Sequence, residues 1–360
     1  LQSGGTFSGN GYGLYNWKDN IYSVFGTVLY KDGVVVGTVD ATNGVYRFSS
    51  TNTAANGKSY LVLGNATKSY TYDGTTLTQI SGVNFPGNSW TNAAVKGFAY
   101  LDGYTFVLDV VGNVHGSDVT AGRNRPDLFT DVTNYIGAQM EPDAGKFCTK
   151  QLAYVLAVKQ WTTEFFYDAQ NATASPLGPV QGPVLNYGTA HADSVQELDG
   201  MLFWLGSNRS SSLQIIKLEN LKSEIISTKY IERLLGEVDF TTVYSWAFKY
   251  EGHAFYGITF TVSNLTLVYD ARDKFWAQWT DTDGNYFPII SSTHSSTYGR
   301  LLQHATNGKI YAVDSAYYTD DGDGITVDIY TPNFEGGTKL GKYMNRLEFV
   351  GDITAGSSLQ

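Results

Sequence analysis

The chain has 360 residues, 42% of them hydrophobic and only 16% charged, with a formal net charge of −10 and a pI near 4.9. Such a surplus of carboxylates excludes a grip on nucleic acid through phosphate neutralisation, which needs a basic surface, but not a wall along which DNA passes unheld. The single cysteine, Cys148, excludes an intramolecular disulfide and a cysteine-based metal site, and the best apolar runs, such as QLAYVLAV (151–158), have the length of strands, not of membrane spans.

Residues 1–19 are neither basic nor apolar enough for a signal peptide and read as an N-terminal extension. The chain lacks an initiator Met, and RLEFVGDITAGSSLQ at its end breaks off in β-rich text, so a fragment or processed product is expected. Residues 20–49 hold three strands, YSVFGTVLY, GVVVGTV and GVYRFSS. A hexamer then recurs every 44–53 residues: KSYTYD ending at Asp73, NVHGSD at Asp118, TEFFYD at Asp168, the weaker SLQIIK at Lys217, LTLVYD at Asp270 and KIYAVD at Asp314. Most copies follow another strand, as YTFVLDV, MLFWLG and HAFYGITF do. Several have a further strand before that, ending in a hairpin turn: FAYLDG, SVQELDG and WAFKYEG.

A period of 40–50 residues with three or four strands per unit is the signature of a β-propeller. The predicted fold class is therefore all-β: a propeller of six or seven blades, each of three to four antiparallel strands, spanning 20–331. Residues 20–49 either form a blade of their own or close the ring by pairing with the last one. Additional β strands are expected at 332–360. The abundance of aromatics, 14% of the chain, then has a physical reason. A blade is covered by neighbours on both faces, so its strands are apolar throughout instead of alternating.

Two segments break the repeat. Residues 122–147 are a long insertion, with a short helix expected around Leu128–Ile136. Residues 227–236 (STKYIERLLG) predict a helix capped by Ser227 or Thr228, with Ile231, Leu234 and Leu235 on one face and Gly236 ending it.

The search for catalytic chemistry is negative. The five histidines, His115, His191, His253, His294 and His304, show no metal-ligand spacing, and no GxSxG elbow, phosphate-binding loop or sialidase-type turn is present. The strand-end aspartates are expected to cap turns through their side-chain oxygens, and His253 to hold a strand start by hydrogen bonding. No enzyme activity and no cofactor are expected. Weak candidates for a hard cation lie in TDTDGN (Asp281, Asp283) and DDGDG (Asp321, Asp323), although neither offers a full ligand set and a solvated turn is the simpler reading. Basic residues cluster once, at Arg123 and Arg125 in GRNRPD. Two arginines in an acidic chain suit a carboxylate on a neighbouring subunit better than DNA.

The order of these segments resembles the packaged-DNA stabilisation proteins of short-tailed bacteriophages, which form the tail nozzle or hub. The resemblance runs over roughly 20–280. It is carried by YSVFGTVLY, SYTYDGTTLTQI with VNFPG, FAYLDGYTFVL, FTDVTNYIGAQMEPD, LAYVLAVKQWTTEFFYD, SVQELDGMLFWLGSN, ISTKYIERLL, and GHAFYGITF followed by LTLVYDARDKFWAQW. The family's N-terminal segment before the propeller is missing here, and NATASPLGPVQG (171–182) follows the family's turn only loosely. The resemblance implies a structural virion protein of the tail that assembles as a homohexamer under the portal and adaptor. It further implies docking of tail spikes or fibres and a needle, with double-stranded DNA passing through a channel without sequence-specific binding. A carbohydrate-binding or carbohydrate-degrading propeller, serving as a receptor-binding module, is the alternative; a cellular scaffold propeller that binds peptides is a third reading.

Overall fold

The computed structural model describes residues 2–54, 56–88, 92–120, 123–181, 184–210, 213–316 and 319–324. They form a seven-bladed β-propeller of antiparallel sheets. Each blade runs from an innermost strand to an outermost one. Blade 1 comprises Gly11–Trp17, Asn20–Phe25, Val28–Lys31 and Val34–Thr38; blade 2, Arg47–Ser50, Leu61–Gly64, Ser69–Tyr72 and Leu77–Gln79. Blade 3 comprises Ala99–Leu101, Tyr104–Leu108, Asn113–Gly116 and Tyr135–Gly137; blade 4, Gly145–Gln151, Tyr154–Lys159, Thr163–Asp168 and Leu177–Pro179. In blade 5 the innermost strand is broken into Gly188–Thr189 and Gln196–Leu198, both paired with Met201–Ser207, and Gln214–Glu219 and Lys222–Ile225 follow. Blade 6 is Val243–Tyr250, His253–Phe260, Leu265–Asp270 and Phe275–Gln278.

Blade 7 closes the ring. Its three inner strands, Ile289–Ser295, Gly299–His304 and Lys309–Val313, come from the far end of the described chain, and its outermost strand is Gln2–Thr6. The residues read as an N-terminal extension are therefore part of the propeller: 2–6 pair with blade 7 and 11–17 are the innermost strand of blade 1. The Gly- and Ser-rich text of 2–6 hides that strand, because backbone pairing at an outer edge asks little of the side chains. Of the two readings of 20–49, the further blade is the one that forms: 20–38 supply three of the four strands of blade 1 and do not pair with the last blade, while 47–49 open blade 2. The expected boundary at 331 and the strands at 332–360 lie outside the described residues.

Each seam between blades has its own apolar cluster. Seven clusters occupy the seven seams, from Trp17, Tyr22, Leu61 and Tyr72 between blades 1 and 2 round to Leu14, Ile21 and Leu301 between blades 7 and 1. Strand His253–Phe260 shows how one sequence serves two seams. Tyr256, Ile258 and Phe260 pack against blade 5, while Phe255, on the opposite face, packs against blade 7 with Trp246 and Phe248. Tyr256, Ile258 and Phe260, fully buried, each contribute about 1.5–3 kcal/mol relative to exposure, and the half-buried Phe255 less. Gly257 lies against Trp246 so closely that an added Cβ would stand 2.3 Å from the indole. Buried glutamines cross the seams as well. Gln151 Nε2 donates to the carbonyls of Gly200 and Leu218, each at 2.8 Å, and Gln303 Nε2 donates to the Val24 carbonyl at 2.9 Å.

The hairpin turns behave as their residues dictate. Asp102–Gly103, Asp199–Gly200 and Glu251–Gly252 have positive φ at both positions, the type I′ geometry that matches strand twist. The strand-end aspartates do cap turns: Asp73 accepts the backbone N–H groups of Thr75 and Thr76, Asp168 that of Gln170, and Asp270 those of Arg272 and Asp273.

The helix of 227–236 forms as Lys229–Leu235, with Thr228 Oγ1 accepting from the Ile231 N–H at 3.3 Å and Gly236 ending it in a right-handed conformation. The helix expected at Leu128–Ile136 does not form. That segment is a chain of turns followed by the outermost strand of blade 3, Tyr135–Gly137. Asp118 captures the N–H groups of Thr130 and Asp131, Asp131 captures that of Thr133, and these local bonds replace helical ones. Phe129, fully buried, pins the segment into the seam between blades 2 and 3, edge-on to Phe85 at 5.1 Å.

Candidate functional site

The innermost strands surround an axial funnel of about 500 Å³. Its walls carry Tyr15, Phe48, Tyr100 and Phe147, with hydroxyls from Ser49, Ser50, Ser291 and Ser292 between them. Tyr15 and Phe48 stack on each other, their centres 5.4 Å apart. Lys150, Glu197 and Asp199 also line the funnel, Asp199 being paired with Lys249.

The floor is ionic. Arg47 from blade 2, Lys96 from the lead-in to blade 3, and Asp193 from a short 3₁₀ turn (Ala192–Ser194) leading into blade 5 converge there. Lys96 Nζ donates to Asp193 Oδ2 at 2.7 Å and to the Asn43 carbonyl at 3.0 Å. Arg47 is held more loosely. Its Nη2 reaches the Ala192 carbonyl at 3.4 Å and Asp193 Oδ1 at 3.6 Å; its Nε is buried with no hydrogen-bond partner, and Asp193 Oδ1 has none either. The guanidinium lies 5.4 Å above the centre of the Phe147 ring.

Burial lowers the pKa of both cations, and the Asp193 carboxylate opposes that shift. Asp193 is positioned from behind. His191 Nδ1 accepts its N–H at 3.2 Å, Ser245 Oγ donates to its carbonyl, and Tyr256 donates to the next carbonyl, Ser194, at 2.8 Å. On the far side of this floor lies a second cavity, of about 690 Å³, bordered by Lys68, Lys146 and His191.

Two further buried networks serve the frame. Lys159 Nζ, completely buried, sits 2.6 Å from Glu164 Oε1, 2.9 Å from Asp143 Oδ1 and 2.6 Å from the Glu141 carbonyl, which ties the crossover from blade 3 to blade 4. His115, also completely buried, bridges Asn84 and Asp109 at 3.2 Å on each ring nitrogen. Burial raises the Asp109 carboxyl, but the bonds from His115 and Asn113 outweigh it and hold the pKa below the ordinary value. A His–Asp contact with no access to solvent positions a loop and meets no substrate.

The residues singled out from sequence fall as follows. Arg125 makes a two-pronged bond to Asp127, Nε to Oδ1 at 2.9 Å and Nη2 to Oδ2 at 2.7 Å, so its fork is satisfied within the chain. Arg123 is placed by its backbone alone, in the strand Arg123–Arg125. The two acidic turns, far apart in sequence, come together: Asp281, Asp321 and Asp323 border one depression of about 200 Å³ with Asp320 and His304, whereas Asp283 is not part of its lining. Within it, Asp281 accepts the N–H groups of Asp283 and Asn285, and Asp321 accepts from Lys309 and Tyr311, so turn bonds and an ion pair already occupy these carboxylates. Among the described residues, His253, Asp270 and Asp273 bring three possible metal-ligand atoms together. His253 Nδ1 bonds Asp270 directly, which gives it the strand-start role read from its position.

Arg47, Lys96 and Asp193 were not singled out from sequence. They come from three blades, and no local motif joins them. The available signal was one charge in an otherwise uncharged innermost strand, as in VYRFSS.

The sequence matches the family described as Bacteriophage P22 Gp10, beta-propeller, over residues 2–288. No curated protein matches it. Among solved structures, the chain is similar to the extracellular domain of a hybrid two-component system from B. thetaiotaomicron, with 9% identity, a TM-score of 0.53, and 87% of this chain covered against 40% of that one. It is also similar to a catalytically inactive virginiamycin B lyase from Staphylococcus aureus with quinupristin, with 9% identity, a TM-score of 0.50, and 86% and 97% of the two chains covered. At this identity the likeness extends to the fold alone. The family match spans six complete blades and the closing N-terminal strand, and on that ground the chain belongs to the Bacteriophage P22 Gp10 β-propeller family and is a structural component of a phage particle.

Proposed function

We propose that this protein is a subunit of the phage tail nozzle, or hub, which retains and conducts packaged DNA and docks other tail proteins. The observation that carries this reading is the family match over 2–288, on a chain folded as a closed ring of seven blades. A rigid wedge without long free edges suits a ring built by head-to-tail contacts with closed symmetry. A homohexamer beneath the portal and adaptor, with spikes or fibres and a needle attached, is the arrangement proposed.

The axis of a single propeller is not the route for DNA. A duplex whose major groove alone is about 12 Å wide does not pass a floor made of Arg47, Lys96 and Asp193. The passage in this proposal is enclosed by several copies, and the net charge of −10 supports a wall that releases phosphates instead of holding them.

The test is assembly and retention. Purified chain, mixed with portal–adaptor complexes, should add a six-fold ring in electron micrographs, and particles lacking the protein should lose packaged DNA. Particles that keep their DNA without it, or a chain that never joins the adaptor, would overturn the proposal.

A further inference from the structure

We infer that the axial funnel is a docking site for an acidic side chain presented by a polypeptide, with Arg47 as its anchor. Charge is the first argument. Arg47 and Lys96 share one carboxylate, Asp193, which leaves a net positive charge on a floor backed by the Phe147 ring, in a chain whose total is −10. An uncompensated charge at a desolvated floor is costly, and an incoming anion removes that cost.

Hydrogen bonding is the second argument. A guanidinium presents five N–H donors in a fork that matches a carboxylate. Arg47 uses Nη2 for one long bond of 3.4 Å, its Nε is unpaired though shielded from solvent, and the 14% of its side chain that is exposed is the part that meets the anion. One surplus charge matches a singly charged carboxylate better than a doubly charged phosphate.

Shape is the third. About 500 Å³ lies within the usual range for a ligand pocket, and the walls combine the rings of Tyr100 and Phe48 with serine hydroxyls. Among the described residues the innermost strands have no further strand on their axial side, so the funnel is surrounded by strand edges of the kind that pair with extended peptide. That edge favours a polypeptide over a sugar acid as the bearer of the carboxylate. This site stands apart from the nozzle proposal and holds whether or not the chain forms a ring.

Calorimetric titration of the whole chain with the blocked peptide acetyl-Gly-Glu-Gly-amide tests it. Saturable one-to-one binding is expected, with at least tenfold weaker binding of the same peptide carrying Gln. Arg47→Gln should weaken binding at least tenfold. Because that change touches a buried pair, Ser49→Trp is the second variant; it fills the funnel without altering the floor and should abolish binding while the thermal melt stays cooperative. Equal binding of the Glu and Gln peptides, undiminished binding by Ser49→Trp, binding of galacturonate without the peptide, or no saturable binding at all would each overturn the inference.

Discussion

Ser3 and Tyr311 face each other as cross-strand partners in blade 7, although they stand near opposite ends of the described chain. Phe7, just beyond, stacks on Phe25 of blade 1 with centres 4.6 Å apart. Removing residues 1–7 takes away the outermost strand of blade 7 and this stack together. We expect a fall in Tm of roughly 3–4 °C, corresponding to about 2–3 kcal/mol, and self-association through the exposed edge. Calorimetry and size-exclusion chromatography measure both; a truncated chain that melts like the full one would show that the pairing contributes nothing.

Gly257→Ala places a methyl group 2.3 Å from the Trp246 indole at the centre of the seam between blades 6 and 7. Overpacking of this kind costs about 1–3 kcal/mol. Urea unfolding followed by tryptophan fluorescence should show a lower midpoint with an unchanged slope.

Lys159→Met leaves Glu164 and Asp143 facing each other in a completely buried position without their cation. Breaking a buried ionic cluster from one side costs about 3–5 kcal/mol. Chemical denaturation of the single variant should show that loss, and Lys159→Met combined with Glu164→Gln should recover part of it.

His304 Nδ1 accepts the N–H groups of Thr306 and Asn307, each at 3.1 Å, which requires the neutral ring. Burial, aided by Lys309, pushes its pKa down to about 4. In the unfolded chain the imidazole takes up its proton near pH 6.5. Between these values the unfolded state binds more protons, so the His304 contribution is complete above about pH 6.5 and is lost as the pH falls toward 4. His304→Asn keeps an acceptor that does not titrate. The stability difference between the two proteins should shift against the wild type across that window, and parallel pH profiles would refute the assignment.

Replacing Arg123 and Arg125 with Glu tests the hairpin Asp118–Arg125 as a contact between subunits. The Arg125–Asp127 pair is partly exposed, and such pairs contribute about 1 kcal/mol or less. The variant should therefore fold with nearly unchanged stability yet enter particles poorly. Normal incorporation would remove this hairpin from the interface.

The sequence was most legible where a strand is buried on both faces. The hexamers ending at Asp73, Asp168 and Asp270 mark the third strands of their blades, because cover on both sides demands unbroken apolar runs such as TEFFYD and LTLVYD. Outermost strands were faint. Leu77–Gln79, Lys222–Ile225 and Gln2–Thr6 are held mainly by backbone pairing, so short polar text suffices. The choice between six and seven blades turned on 20–49, whose blade is completed by the innermost strand Gly11–Trp17. At Leu128–Ile136 the expected helix gives way to turns because Asp118 and Asp131 hold the backbone. The axial floor was invisible for a different cause: Arg47, Lys96 and Asp193 are neighbours only once the ring is shut.

The seven separate clusters have a consequence for how this molecule tolerates change. The apolar clusters of different seams are separate, so substitutions two joins apart and away from the axial floor act independently. The outward rim of one sector can therefore be changed while the other sectors keep their geometry.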